Sequence, residues 1–310
     1  GGRWANQYRR LGDIMIYKDG FWTNIKNSDL VNQTEDKQAL RDFMNVAQDP
    51  NDENHYFITT YGTGLIEMKE KKLIKIYKPS NSGLFSAIPD NPDFYTRTDG
   101  VMYDEQGNLW LLNTGEVKGN IHIVSREGKW NSFSLSSNGK NITLHTPGEI
   151  LVDNRNSQWK WIPSLRADAG LVLLQDNGTP SNPNDDHVTY RRNWTDQTGR
   201  TITPSEIRAI AQDSNHTIWV GTSSGIFAIP HSVDFTISNQ CIRIIIPRND
   251  GSGLGDYLLE NEQINAIAID GANRLWVGTT NSGIFLLNPI GDVNNISYYT
   301  AETLAHFTTQ

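Results

Sequence analysis

Asp213-Ser-Asn-His-Thr-Ile-Trp219-Val-Gly221-Thr222 is a stretch of sequence that recurs along this chain. A second copy, Asp270-Gly-Ala-Asn-Arg-Leu-Trp276-Val-Gly278-Thr279, is nearly identical in pattern. Two further copies are Asp104-Glu-Gln-Gly-Asn-Leu-Trp110 and Asp153-Asn-Arg-Asn-Ser-Gln-Trp159. In each copy the tryptophan follows the aspartate by six residues. The copies begin roughly 50 to 60 residues apart, a period typical of radial β-repeats.

The repeated segment predicts a turn between two short strands. Aspartate and asparagine bond to their own backbone in tight turns, and glycine accepts a positive φ. Four strands of about five residues, joined by hairpins, then form one antiparallel blade. We expect an all-β fold, a β-propeller of six or seven four-stranded blades, in which each tryptophan wedges between blades. Gly221 and Gly278 are expected to allow a close approach of the neighbouring strand.

The spacing of the copies also predicts the domain organisation. We expect residues 1–310 to form a single propeller domain whose terminal blades are incomplete. We interpret the chain as a segment of a longer multidomain protein. A ring must close to remove its edge strands, so the missing strands are expected either from flanking sequence or from a rearrangement within this chain. The predicted half blade spans residues 1–26, and complete blades lie near 42–82, 96–140, 145–193, 205–248 and 262–300.

Composition excludes several classes of protein. The formal net charge of −8 disfavours general nucleic-acid binding, which needs a basic stripe. No apolar run approaches the roughly 20 residues of a membrane span. Cys241 is the single cysteine, and its apolar surroundings predict a buried structural thiol.

The sequence contains no familiar catalytic, cofactor or metal motif. Its seven histidines show no ligand spacing, and there is no phosphate-binding glycine loop or nucleophile elbow. The turn at Asp213 resembles the Asp-box turns of sialidase propellers. Those enzymes also need an arginine cluster, a tyrosine nucleophile and acid residues, and that set cannot be placed here. We therefore expect no enzyme, no cofactor and no metal site, and we interpret the turn as structural.

Ligand binding is expected on the loops at one face of the propeller. The first loop combines three arginines, suited to carboxylate or phosphate, with two aromatic side chains. The alternative is that Trp4 and Tyr8 pack against the blade and the arginines are merely solvated. The candidate ligand-binding residues are Arg3, Trp4, Tyr8, Arg9, Arg10, Asn113, Glu116, Lys118, Arg166 and Asp168.

Two families resemble this chain. Ile-Trp-Val-Gly-Thr at residues 218–222 and Gly-Ile-Phe at 225–227 resemble two-component regulator propeller repeats, which form sensor ectodomains of bacterial hybrid histidine kinases. Longer stretches, at residues 1–8, 249–259 and 270–279, resemble the PorZ-type surface propeller proteins of type IX secretion. This second resemblance implies a non-enzymatic protein, exported to the periplasm or cell surface. It also implies a glycolipid partner, an anionic lipopolysaccharide, and a protein partner of the secretion system. No ligand residue is carried over from that family.

Three functional hypotheses remain open from the sequence. The first is a PorZ-like binding and docking platform, and the second is a ligand-sensing ectodomain of a hybrid two-component histidine kinase. The third is a propeller-based carbohydrate-active enzyme, which predicts an acid/base pair of perturbed carboxyl groups. Propellers carry out all three tasks, so the fold does not distinguish them.

Overall fold

The computed structural model describes residues 7–34, 36–115, 119–137, 140–142, 144–166, 168–248, 250–289 and 299–304. In these ranges the regular elements are β-strands apart from two short helices, α1 (Asn27–Val31) and α2 (Pro92–Tyr95). The contacts divide the chain into two compact units. Unit 1 comprises residues 1–150 and 179–184, and unit 2 comprises residues 151–178 and 185–310.

Unit 1 contains antiparallel sheets in chain order. A hairpin, β1 paired with β2, is followed by the sheets β3–β6 and β7–β10 and by a second hairpin, β11–β12. The two sheets are joined where the end of β4 pairs with the start of β7, at Tyr61–Arg97 and Gly62–Thr96. The strands are β1 (Ile14–Lys18), β2 (Phe21–Ile25), β3 (Phe43–Asp49), β4 (Asp52–Gly62), β5 (Leu65–Lys69), β6 (Lys72–Tyr77), β7 (Thr96–Tyr103), β8 (Leu109–Thr114), β9 (Ile121–Val124), β10 (Trp130–Phe133), β11 (Leu135–Ser137) and β12 (Lys140–Ile142).

Unit 2 repeats the same antiparallel pattern. It contains the sheets β13–β16, β19–β21 and β24–β27, with the small hairpins β17–β18 and β22–β23 between them. The strands are β13 (Leu151–Val152), β14 (Trp159–Ser164), β15 (Gly170–Gln175), β16 (His187–Arg191), β17 (Trp194–Thr195), β18 (Thr201–Ile202), β19 (Ile207–Gln212), β20 (Ile218–Thr222), β21 (Gly225–Ile229), β22 (Ile245–Pro247), β23 (Gly255–Tyr257), β24 (Ile264–Ile269), β25 (Leu275–Thr279), β26 (Ile284–Pro289) and β27 (Tyr299–Leu304).

The middle strands are buried on both faces. Every residue of β8, β20 and β21 is buried, which explains their almost continuous apolar sequence. In unit 2 one core cluster joins Trp161 and Leu173 to Ile218 and Phe227 of the following sheet. A second cluster joins Trp219 to Ile264 and Val277 of the sheet after that. Side chains from consecutive sheets therefore share each core.

The fourth strands differ from the sequence pattern. The apolar stretch at 241–246 does not form one continuous fourth strand, because residue 242 makes a single bridge to Ala228 and the chain then enters β22. Ile245 and Ile246 instead pair with Tyr257 and Asp256 of β23, so a hairpin takes the place of a long outer strand. The last sheet does contain a fourth strand, β27. The observed strand begins at Tyr299 and ends at Leu304.

Candidate functional site

Each repeat turn is closed by an aspartate that bonds to a tryptophan. At Asp213, Oδ1 accepts hydrogen bonds from the backbone N–H groups of Asn215 and Thr217, both at 2.9 Å. Its Oδ2 accepts a hydrogen bond of 3.0 Å from the indole Nε1 of Trp219. The same indole bond joins Trp110 to Asp104 at 2.8 Å and Trp276 to Asp270 at 2.9 Å. The recurring spacing of six residues thus lets one aspartate hold the turn and also accept a hydrogen bond from the indole N–H of the tryptophan.

In the fourth copy the tryptophan that bonds to the aspartate is Trp161, not Trp159 as the spacing predicted. The indole of Trp161 donates to Asp153 Oδ2 at 3.0 Å. The turn is two residues longer here, because the Asp153 N–H bonds to the carbonyl of residue 159 at 2.9 Å. In the Asp213 copy the corresponding bond is to the carbonyl of residue 217. Trp159 is therefore available for another role.

Trp276 differs from the other repeat tryptophans in its burial. Trp110 and Trp219 are buried, whereas Trp276 is only partly buried, contrary to the sequence expectation. Trp219 is covered by Ile264 and Val277 of the next sheet. Trp276 belongs to none of the buried clusters formed by the described residues, although the Arg274 guanidinium lies 5.8 Å from its ring centroid.

The two repeat glycines are also not equivalent. A Cβ atom on Gly221 would lie 2.6 Å from Cγ2 of Ile264, so the next sheet approaches this position closely. A Cβ on Gly278 would meet Ala266 Cβ at 3.6 Å, an ordinary contact. The predicted close approach therefore exists at Gly221 and does not exist at Gly278.

A further turn of the same type escaped the sequence analysis. Asp196 Oδ1 accepts hydrogen bonds from the N–H groups of Thr198 and Arg200, and the Asp196 N–H bonds to the Arg200 carbonyl. The sixth residue after this aspartate is Ile202 rather than tryptophan. A search for the aspartate turn alone, without its tryptophan, would have found it.

The described part of the predicted arginine loop is held by Asp42. The N–H groups of Arg9 and Arg10 donate to the two carboxylate oxygens of Asp42, at 2.9 and 3.2 Å. Tyr8 is 53% exposed, with the Arg10 guanidinium 5.9 Å from its ring centroid. Tyr8 therefore does not pack into a core. Arg3 and Trp4 lie outside the described residues.

Further basic and aromatic side chains that the sequence did not single out adjoin this loop. The Arg41 guanidinium donates to the Arg9 carbonyl at 2.6 Å. The Arg97 guanidinium lies 4.9 Å from the Tyr61 ring centroid and 5.4 Å from that of Tyr95. These residues are scattered in sequence, and the fold brings them together through the bridge between Leu11 and Arg41 and the pairing of Tyr61 with Arg97. We call this set the arginine–tyrosine surface: Tyr8, Arg9, Arg10, Arg41, Tyr61, Tyr95 and Arg97.

Two polar atoms of this surface are buried without a hydrogen-bond partner among the described residues, Tyr61 Oη and Arg97 Nε. Tyr61 is only 1% exposed and lines a small cavity of about 30 Å³ together with Arg9 and Arg41. Buried polar groups normally have partners, so this cavity is suited to a bound polar atom.

The other predicted loop residues lie apart from this surface in sequence, and the described ones already have partners within the protein. Asn113 is fully buried, and its side chain accepts from the Phe85 N–H and donates to the Arg97 carbonyl. It therefore has a structural role in unit 1. In unit 2, Arg166 is partly buried and Asp168 pairs with Arg192 at 2.9 Å. Glu116 and Lys118 lie outside the described residues.

One carboxyl group has the raised pKa that an acid catalyst would need. Burial and the charges of Asp176 and Asp185 raise the pKa of Asp186 to about 7. Its neighbour Asp176 is held by a buried ion pair with Lys160, both only 2% exposed. Among the described residues no group of three or more histidine, cysteine or acidic side chains could hold a metal ion. Cys241 is buried, as expected, and burial raises the pKa of its thiol to about 12.

Two of the three repeats in unit 2 match a known family model. The model of the two component regulator propeller matches residues 201–224 and 258–281. These stretches contain the turns at Asp213 and Asp270. No curated protein matches the chain. No described helix is long and apolar enough to cross a membrane.

Solved structures extend this similarity to nearly the whole chain. PorZ of Porphyromonas gingivalis, an essential bacterial surface component of the type-IX secretion system, is 25% identical with a TM-score of 0.79. The alignment covers 96% of this chain and 38% of PorZ. This chain thus spans well under half the length of PorZ.

More distant structures show the fold alone. The extracellular domain of BT4673, from a hybrid two component system of Bacteroides thetaiotaomicron, is 16% identical over 88% of this chain and 32% of its own, with a TM-score of 0.50. Virginiamycin B lyase of Staphylococcus aureus is 16% identical over 94% of this chain and 78% of its own, with a TM-score of 0.52. The chain is all-β with a β-propeller fold, and both resemblances drawn from the sequence are confirmed.

Proposed function

We propose that this chain is the propeller part of an exported, non-enzymatic docking platform, a PorZ-like accessory of type IX secretion. The observation that carries the proposal is the likeness to PorZ, which covers 96% of the chain at a TM-score of 0.79. PorZ is described as a bacterial surface component. An exported location at the periplasm or cell surface follows for this chain by analogy.

The arginine–tyrosine surface is the proposed contact for an anionic lipopolysaccharide. Its four guanidinium groups are suited to carboxylate or phosphate, and tyrosine rings suit the faces of sugar rings. The acidic residues nearby have other partners, since Asp42 accepts from two backbone N–H groups and Asp93 pairs with Lys78 at 2.6 Å. The buried hydroxyl of Tyr61 and the Nε of Arg97 supply two donors that lack acceptors among the described residues.

Binding of an anionic polysaccharide tests this proposal. We expect the wild-type protein to bind a phosphorylated polysaccharide more weakly as salt rises, because exposed charges are screened. Replacing Arg9, Arg10 and Arg41 by alanine should weaken binding by about tenfold or more. Lys71, Lys72 and Lys75 lie elsewhere in unit 1, in β6 and at the residue before it, and their replacement by alanine is the matched control. Equal losses in both triple variants would reject a specific surface in favour of general charge attraction.

The sensor hypothesis retains support from one observation, the match to the two component regulator propeller model. It predicts that the intact protein continues into a membrane span and kinase modules. The PorZ-like proposal predicts a small β-rich sorting domain instead. Sequencing the intact gene distinguishes the two.

A further inference from the structure

Unit 2 contains a cavity that the proposed function does not use. Its volume is about 470 Å³, within the range of roughly 300 to 1,000 Å³ typical of small-molecule sites. It opens between the sheets β13–β16 and β19–β21, at the end of the strands where the aspartate turns lie. One of the ligand loops predicted from the sequence, the loop with Arg166 and Asp168, joins the opposite ends of β14 and β15.

One wall is a flat row of side chains on three neighbouring strands. Trp159 pairs with Gln175, and Gln175 pairs with His187. Directly paired residues of antiparallel strands share one face of the sheet, so these three side chains lie side by side. The next row on the same face is Trp161 and Leu173, which are buried and form the apolar floor. Trp159 is available for this wall because Trp161 makes the aspartate bond of the turn.

The opposite wall comes from the following sheet and the segment after it. Ile218 and Ile229 are paired across β20 and β21 and line the cavity. The ring of Phe235 packs edge-on against Trp161, with centroids 4.8 Å apart. At the rim, the rings of His216 and His231 lie 6.3 Å apart, and His216 Nδ1 is 2.5 Å from Asn154 Oδ1.

Two charged side chains line this cavity besides its histidines, Arg155 and Asp234. Arg155 lies 5.2 Å from the Trp159 ring centroid, but its guanidinium binds both oxygens of Asp153, at 2.9 and 2.6 Å. The rim carboxylate of Asp234 accepts hydrogen bonds from the N–H and hydroxyl of Thr236, at 2.9 and 2.6 Å. Among the residues that line the cavity, the Arg155 cation is therefore paired with Asp153, while the Asp234 carboxylate leaves a negative charge at the rim that repels acidic ligands.

We propose that this cavity binds a neutral saccharide of one or two rings. Imidazole, amide and hydroxyl groups, as in His187, Gln175 and Ser232, can donate and accept, which matches the dual character of sugar hydroxyls. The apolar floor and the indole of Trp159 match the C–H face of a pyranose ring. The inference goes beyond the proposed function, since it requires neither the secretion context nor the arginine–tyrosine surface.

Binding to an array of neutral and acidic oligosaccharides, followed by calorimetry, tests this site. We expect at least one neutral mono- or disaccharide to bind the protein with a Kd on the order of 1 mM or tighter. Trp159→Ala should weaken that affinity by about tenfold. Ser232→Trp should abolish it, because Ser232 is exposed on the cavity lining and a larger side chain fills the space.

Two control variants show whether the sugar binds at this cavity or elsewhere on the protein. His145→Ala changes an exposed histidine of unit 1 and should leave sugar binding unchanged. Replacing Arg9, Arg10 and Arg41 by alanine should weaken polysaccharide binding but leave the small sugar bound, so the two proposals fail independently. Binding of acidic sugars alone, no binding of any neutral sugar, or full binding by Ser232→Trp would overturn the inference.

Discussion

Replacing Asp213 by alanine removes a carboxylate that accepts three hydrogen bonds inside unit 2. Asp213 is 2% exposed, and the donors at Thr217 N and Trp219 Nε1 are buried with it. A buried donor that loses its partner costs about 1 to 3 kcal/mol. The two fully buried donors, together with partial loss at Asn215, give an expected destabilisation of about 3 to 5 kcal/mol.

Asp270→Ala is the matched control, because Asp270 accepts the same bonds from Ala272, Arg274 and Trp276. Here the aspartate and the indole are only partly buried, so water can replace the lost acceptor and we expect a much smaller loss of stability. Urea denaturation followed by far-UV circular dichroism measures both variants against wild type. Equal effects, or a loss below about 1 kcal/mol for Asp213→Ala, would refute the reasoning that burial of this bond stabilises the fold.

Two further predictions concern stability. Gly221→Ala places a Cβ 2.6 Å from Ile264 and should lower the free energy of unfolding by about 1 to 3 kcal/mol. Gly278→Ala should lower it by less than about 1 kcal/mol, because its Cβ makes an ordinary contact. Thermal melts that rank the two variants in the opposite order would contradict this packing. Burial lowers the pKa of His122 to about 4 in the folded protein. As the pH falls below about 6.5, this histidine is therefore protonated in the unfolded chain before it is protonated in the folded protein. The stability held by neutral His122 is therefore complete above pH 6.5 and is lost between pH 6.5 and 4, by about 2 kcal/mol at pH 5. His122→Gln should show a smaller loss between pH 7.5 and 5 in denaturant titrations, and an unchanged pH profile would exclude this cause.

The repeat predicted the strands and turns well because it is a local signal. An aspartate followed by a tryptophan six residues later specifies both a turn and the strand that carries the indole, as at Asp213 and Trp219. The same spacing misassigned Trp159, because a turn longer by two residues moves the bonding position to Trp161. Local sequence cannot reveal that change, since both tryptophans stand on the same strand.

Burial and site assembly were less predictable, since they depend on neighbouring sheets. Trp219 and Trp276 share one sequence context, yet within the part of the chain that the structure describes only Trp219 is covered by a following sheet. The sequence predicted Asn113 as a ligand-binding residue, but its side-chain amide donates a hydrogen bond to the Arg97 carbonyl inside unit 1. Arg41 and Arg97 join the arginine loop through side-chain hydrogen bonds to the Arg9 carbonyl and to Gln7, which composition does not show.

Hydrogen–deuterium exchange of the protein with an anionic lipopolysaccharide tests the proposed platform most directly. We expect slower exchange in peptides covering residues 7–10, 41–42 and 94–97, with no change in peptides covering 230–236. Protection confined to other segments, or none at saturating glycolipid, would contradict the proposed binding at the arginine–tyrosine surface.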